Sequence, residues 1–240
     1  MLSPYGMEIV ESCLTCKLRA DDVFCDLPAA ALQVLEDIKH ATTYPEGAVL
    51  FVEGQTPSGI FLLCRGTVKL LVNSPSGKKM IVELAEPGEV LGLSATISGE
   101  PYEVTAETSE RCQINFVKRE HFLRLLKDNG EACFKVAELL SEKYHDACNE
   151  LRSLGLSHSA HEKLANLLLE WSSRNDEGGK PETRLRLRLT HEEIANMIGI
   201  SRETVTRLLT EMKKRQILES KGSTLLIRNA ALLRKMANHN

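Results

Sequence analysis

No run of apolar residues in this 240-residue chain reaches the roughly 20 needed to span a bilayer. The amino terminus, MLSPYGMEIVESC, has neither a basic n-region nor an apolar h-region, so a secretory signal is not expected. These absences lead to the expectation of a cytoplasmic protein with no membrane partner. No P-loop, Ser/His/Asp set or paired-carboxylate arrangement is recognisable, and a non-enzymatic role is expected. The seven histidines show no metal-ligand spacing; His158 and His161 read as polar surface.

A large excess of one charge is also missing. The net charge is −3, which taken whole does not favour a polyanionic partner. The distribution reverses that. From Arg184 onward there are 12 Lys+Arg and 5 Asp+Glu, net +7, which leaves 18 and 28, net −10, for the rest. A basic carboxyl-terminal module joined to an acidic one suits a regulator of nucleic acid better than a uniform enzyme. With 42% hydrophobic and 26% charged residues, the chain is globular and long enough for two modest cores. Seven cysteines in a cytoplasmic chain are not expected to form a disulfide framework, and they raise the question of metal binding.

The segment Leu189 to Lys214, LTHEEIANMIGISRETVTRLLTEMKK, carries the most information. Thr190 stands three residues before Glu193, the spacing of a capping box. Ile194, Ala195 and Ile198 give the first helix an apolar stripe. Gly199 ends it, because glycine tolerates a left-handed C-cap. Ser201 is a good N-cap for a second helix, whose buried face is Val205, Leu208, Leu209 and Met212. Arg202, Glu203, Thr206 and Arg207 then face outward in its first turns. Arginine can bind guanine bidentately and glutamate can accept from cytosine N4. A glycine bend followed by a capped helix with base-reading residues at its amino end indicates a DNA-reading element rather than an ordinary amphipathic hairpin. RLRLRLT, Arg184 to Thr190, alternates as a half-buried strand, and ILESKGSTLLIR contains a turn at Lys221 and Gly222 suited to a hairpin wing. Lys213, Lys214, Arg215 and Lys221 are placed to meet phosphates.

Thr190 to Lys214 resembles the helix-turn-helix of the CRP/FNR superfamily of bacterial transcription regulators. Ser201-Arg202-Glu203-Thr204-Val205 followed by Arg207 is similar to the recognition helix of its cyclic-AMP-receptor branch. The resemblance implies that Arg202, Glu203 and Arg207 read bases, with a TGTGA-like half-site, and that RNA polymerase is a partner. The full set of candidate DNA contacts is Thr190, His191, Ser201, Arg202, Glu203, Thr206, Arg207 and Lys221.

Upstream, Thr43 to about Val117 is a series of short apolar runs punctuated by Gly47, Gly54, Gly66, Gly77, Gly88 and Gly99, the pattern of an antiparallel barrel or roll. It resembles the cyclic-nucleotide-binding β-roll of the same superfamily. Pro28 to Lys39 reads as a short helix, and Phe122 to about Leu156 as a long helical stretch. In that stretch Cys133, Ala137, Leu140, Tyr144, Ala147, Leu151 and Leu154 recur at alternating steps of four and three, a heptad seam. A homodimer on a palindromic operator accounts for both the seam and the reading helix. The expected fold is α+β: a cysteine-bearing segment (1–27), a β-roll (28–128), a dimerisation helix (129–157) and a winged helix-turn-helix (158–240).

Two signals bear on what the roll senses. Cyclic-AMP-binding members of the superfamily carry a Gly-Glu-Leu motif and an Arg-Ser pair. Here the corresponding places read Gly92-Leu93-Ser94 and Pro101-Tyr102-Glu103, so the ribose-binding carboxylate and the phosphate-binding arginine are absent and cyclic AMP is not expected. Cys13 and Cys16 form a C-x2-C step, and Cys25 follows after eight residues; thiolates in such a run suit an iron–sulfur cluster or zinc. Glu107 to Phe116, ETSERCQINF, resembles the region of FNR-type regulators that supplies a fourth cluster ligand. The resemblance implies a 4Fe–4S cluster on Cys13, Cys16, Cys25 and Cys112. Zinc and free thiols acting as a redox switch are the other readings of the same cysteines, and an organic ligand in the roll is the alternative without a cluster. The gap from Cys16 to Cys25 is longer than the usual five, and Cys64, Cys133 and Cys148 read as ordinary buried cysteines.

Overall fold

Strand burial decides how the amino-terminal half is built, and the computed structural model shows how. It describes residues 9, 12–16, 24–73, 79–156, 159–174, 183–186, 189–221 and 224–237. The chain divides into two units, Met1–Tyr144 and His145–Asn240. The first unit runs α1 (Ala29–Ile38), β1 (Lys39–Tyr44), β2 (Val49–Phe51), β3 (Gly59–Arg65), β4 (Val68–Asn73), β5 (Lys79–Ala85), β6 (Val90–Leu91), α2 (Leu93–Ser98), β7 (Thr105–Thr108), β8 (Cys112–Lys118), α3 (Arg119–Asp128) and the start of α4 (Gly130–Leu156).

These strands form two four-stranded sheets, ordered β1-β8-β3-β6 and β2-β7-β4-β5. Side chains alternate faces along a strand. Phe61 and Leu63 of β3 pack with Phe51, Val68, Tyr102 and Ile114 inside the roll. Ile60 and Leu62 join the other core cluster, with Leu32, Phe122 and Val136 of α1, α3 and α4. With one face on the roll interior and the other under helices, Gly59 to Cys64 are all buried. That is why GIFLLC reads as an unbroken apolar run rather than an alternation.

The long helical stretch is interrupted. Asn129 has extended backbone (φ −137°, ψ 103°), and its Oδ1 accepts from Ala132 N at 2.9 Å, so it ends α3 and caps α4. The short α2 was not expected. It lies between Gly92 and Gly99, both left-handed. Gly92 is required sterically, since a Cβ there would lie 2.6 Å from the Tyr102 ring.

The second unit contains the rest of α4, then α5 (Ala160–Arg174), β9 (Thr183–Arg186), α6 (His191–Ile198), α7 (Arg202–Lys214), β10 (Leu218–Lys221), β11 (Thr224–Ile227) and α8 (Ala230–Ala237). Leu164, Leu168, Ile194, Val205, Leu208 and Leu233 are fully buried in it. Its strands form one antiparallel sheet, β10-β11-β9, with Leu218 opposite Ile227 and Leu225 opposite Leu185. The expected strand from Arg184 is seen as β9 up to Arg186; residues 187–188, the turn residue Gly222 and His158 lie outside the described residues. Among the described residues no helix is long and apolar enough to cross a membrane.

Candidate DNA-reading surface and thiol cavity

The α6–α7 pair is built by its caps. Thr190 Oγ1 accepts from Glu193 N at 3.2 Å while Glu193 Oε2 accepts from Thr190 N at 2.7 Å, a reciprocal capping box. Gly199 closes α6 at φ +66°, and Ser201 Oγ accepts from Thr204 N at 3.2 Å to start α7. Val205, Leu208, Leu209 and Met212 are buried. Arg202, Glu203, Thr206 and Arg207 are exposed along the opposite side. His191 and Thr206 meet across the bend, with Nδ1 and Oγ1 2.8 Å apart. Among the described residues the guanidinium groups of Arg202 and Arg207 take no intramolecular hydrogen bond or ion pair, so they are free for acceptors outside the chain. Lys213 and Lys214 end the helix, where cations meet the negative end of its dipole. The backbone of Lys221 closes β10; its side chain lies outside the described residues.

The heptad seam on α4 is separate from the side of the helix that packs on the roll. At about 100° per residue, Ala132, Val136, Leu139 and Lys143 share one side, and Cys133, Ala137, Tyr144, Ala147 and Leu151 lie roughly a quarter turn away. Ala132 and Val136 are buried in the first unit. Tyr144 is 69% and Leu151 70% exposed, Ala137 and Ala147 are exposed, and Leu140, between the two sides, is half-buried. The side chain of Leu154 is outside the described residues. Cys133 is exposed, which corrects its reading as a buried cysteine; it sits on the solvent side of the first turn of α4. Lys143 ties the helix to the roll through Glu83 and through Glu89 at 3.1 Å. Burial opposes the Lys143 charge, but these two carboxylates hold its pKa above the usual lysine value; burial raises Glu89 despite that lysine.

The amino-terminal cysteines converge on the opposite face of the β1-β8-β3-β6 sheet from the roll interior. Cys13, Cys16 and Cys25 line one cavity, together with Cys64, Leu62, Leu63, Gly88 and Asn115. It leaves about 20 Å³ of space, room for roughly one water-sized sphere. Cys13 is held by its backbone N–H donating to Glu36 Oε2 at 2.7 Å, and the Lys39 Nζ on that carboxylate donates to Cys13 Sγ at 3.4 Å. Asn115 Nδ2 donates to Cys13 Sγ at 3.6 Å, and the Asn115 backbone N–H points to the Cys64 sulfur. Phe24, edge-on to Phe122 at 5.9 Å, anchors the stretch carrying Cys25. Burial pushes the thiols of Cys25 and Cys64 up to about 12. It also raises Cys13, against the pull of Lys39.

Cys112 is not in this cavity. It is fully buried in the roll interior beside Ile114, with Sγ donating to the carbonyls of Thr67 and Glu110 at 3.4 Å each. The reason is strand alternation: Cys112 and Asn115 are three residues apart on β8 and so face opposite sides of the sheet. The expected four-ligand set is therefore not brought together, and Cys64, read from sequence as an ordinary buried cysteine, stands with the other three. Among the described residues no three His, Cys, Asp or Glu side chains have an arrangement that could hold a metal ion as placed.

Within the roll, the segment standing where cyclic-AMP-binding members carry their Arg-Ser pair is packed into the core. Tyr102 is 1% exposed and stacks on Phe51 at 4.1 Å between centroids. Its hydroxyl donates to Gly59 O at 2.8 Å and accepts from Ser58 N at 3.2 Å.

A β-roll followed by a winged helix-turn-helix with an exposed arginine-bearing helix defines a class, the two-domain DNA-binding transcription regulator. The model of the cyclic nucleotide-binding domain matches residues 41–129 and that of the Crp-like helix-turn-helix domain residues 162–236. The transcriptional activator protein FnrA of Stutzerimonas stutzeri is 27% identical over 219 residues, covering 90% of this chain and 88% of the relative. The cyclic AMP receptor protein of Thermus thermophilus is 27% identical over 194 residues, 81% and 86% of the two chains. The structure of FixK2 from Bradyrhizobium japonicum superposes with a TM-score of 0.75 at 22% identity, covering 85% of this chain and 99% of that one. The chain belongs to the CRP/FNR superfamily of bacterial transcription regulators.

Proposed function

We propose that this regulator works as a homodimer that reads a palindromic operator with paired α7 helices, and that its amino-terminal cysteines make DNA binding respond to oxygen or cellular redox state. The observation that carries the DNA reading is the capped α7, whose first turns leave Arg202, Glu203, Thr206 and Arg207 exposed while the opposite side is buried. The apolar side of α4 through Ala137, Tyr144, Ala147 and Leu151 supports a two-fold partner, because exposed apolar side chains at heptad spacing gain burial against a second copy of the same stripe. RNA polymerase is the expected further partner on family grounds.

The sensing part rests on the thiol cavity. A 4Fe–4S cluster, when bound, supplies oxygen-labile iron; free thiols supply reversible oxidation. Neither needs a nucleotide, and the Tyr102 ring in the roll argues against cyclic AMP and against an organic ligand there. Covalent and hydrogen-bonded steps join the cavity wall to α4 and support this reading. Leu63 and Gly88 line the cavity, Leu63 N donates to Glu89 O at 3.0 Å, Gly88 N donates to Leu63 O at 2.7 Å, and Glu89 holds Lys143 of α4. In this proposal a change at the sulfurs is passed to the helix through the 86–89 turn.

Selection of bound duplexes from a random pool by the anaerobically purified full chain tests the reading. Recovered sites should be two-fold symmetric with TGTGA-like halves. Recovery of asymmetric single sites, or of no preferred sequence at low salt, would refute it.

A further inference from the structure

The fold singles out Cys64. Strand β3 pairs with β8 residue for residue from Gly59 opposite Lys118 to Leu63 opposite Ile114, and pairing resumes at Arg65 opposite Gln113. Cys64 is the inserted residue, a β-bulge in the middle of the sheet. A bulge sacrifices ladder pairing and re-aims a side chain, and here the side chain lines the cavity that already holds Cys13, Cys16 and Cys25. The first two sit on one tight turn, with Cys16 N donating to Cys13 O at 3.4 Å. The surroundings suit sulfur carrying negative charge. A lysine and the side-chain amide of buried Asn115 donate to Cys13. Donors of this kind around metal-bound sulfur orient the ligands and tune the centre. The remaining wall, Leu62, Leu63 and Gly88, is apolar.

We propose that Cys13, Cys16, Cys25 and Cys64 bind one thiophilic metal centre, with Cys64 as the internal ligand that Cys112 was expected to be. This deepens the sensor reading above and rests on it. The shared chemistry is four thiolates, which serve either a single zinc ion or an iron–sulfur cluster. Binding releases the four thiol protons to solvent, and Lys39 offsets part of the negative charge that remains. The thiols line the cavity without yet converging on a common point, so binding draws them inward by side-chain rotation. A single ion suits the present space, whereas a cluster requires the walls to part. Cys112 has no such route, because bringing it to the cavity would need β8 to slip by one residue and turn every side chain over.

The test uses the full chain prepared without air, analysed for iron, sulfide and zinc. Cys64→Ser should lower the metal content at least about tenfold, while Cys112→Ser keeps it. Alkylation followed by mass spectrometry provides a second measurement on the unmutated chain. Metal should shield Cys13, Cys16, Cys25 and Cys64, a chelator should unshield all four together, and exposed Cys133 should react throughout. Equal iron and sulfide identifies a cluster. Zinc alone supports the ligand set but removes the oxygen-labile iron from the sensor reading. Metal retained in Cys64→Ser and lost in Cys112→Ser overturns the inference and leaves a cluster sensor standing. A chain with no iron, sulfide or zinc overturns both.

Discussion

The exposed α7 surface and the thiol cavity are opposite ways of bringing side chains together on a fold. The first is exposed and comes from one stretch of chain, Thr190 to Lys214, whose caps and apolar stripe build it locally. The second is buried and joins residues as far apart as Cys13 and Asn115, 102 positions in sequence. A surface built from local rules can change its contact residues without changing its shape. A cavity built from distant segments cannot, because each sulfur is also a packing residue.

That contrast can be broken most strongly at the DNA surface. Replacing both Arg202 and Arg207 by Ala should weaken operator binding by roughly 10- to 100-fold for each arginine, with thermal unfolding unchanged, read by fluorescence anisotropy at fixed salt. Unfolding at lower temperature would show that the arginines are structural after all. Next in size, Leu151→Glu places a charge in the α4 seam. Sedimentation should then report a monomer at concentrations where the parent chain is dimeric, and operator affinity should fall with it. A variant that stays dimeric moves the interface elsewhere.

The smallest effect sharpens the difference between the units. Cys25 and Cys64 have folded pKa values of about 12 against an ordinary 9.0. Between those limits the unfolded chain binds fewer protons than the folded one, so in the metal-free protein stability is intact below about 9 and falls as pH rises toward 12. Hydrogen exchange followed from pH 8 upward should show the first unit loosening before the α6–α7 pair. Cys64→Ala should flatten that dependence; an unchanged profile would place its origin outside the cavity.

Much of this was legible in the sequence because it obeys short-range rules. The capping box at Thr190, the left-handed Gly199 and the Ser201 cap are each set within a few residues, and they stand as expected. The roll was legible from glycine-punctuated apolar runs, and the fold class follows from the two together. The cavity was not. GIFLLC looks like any doubly buried strand, and nothing in it announces that Cys64 is an inserted residue, since a bulge is defined by the partner strand. Cys112 was placed by likeness to a family pattern, but the alternation of β8 sends it to the other side of the sheet. Asn129 was overlooked within a continuous apolar periodicity because its side-chain cap acts over only three residues.

Tyr102 has a consequence for how such a molecule can be switched. With its ring wedged against Phe51 and its hydroxyl bridging Ser58 and Gly59, the chamber between the two sheets behaves as a keystoned arch with its centre stone already set. That stone is cut from the chain itself, so shifting it would break a ring stack and the hydrogen bonds to Ser58 and Gly59 together.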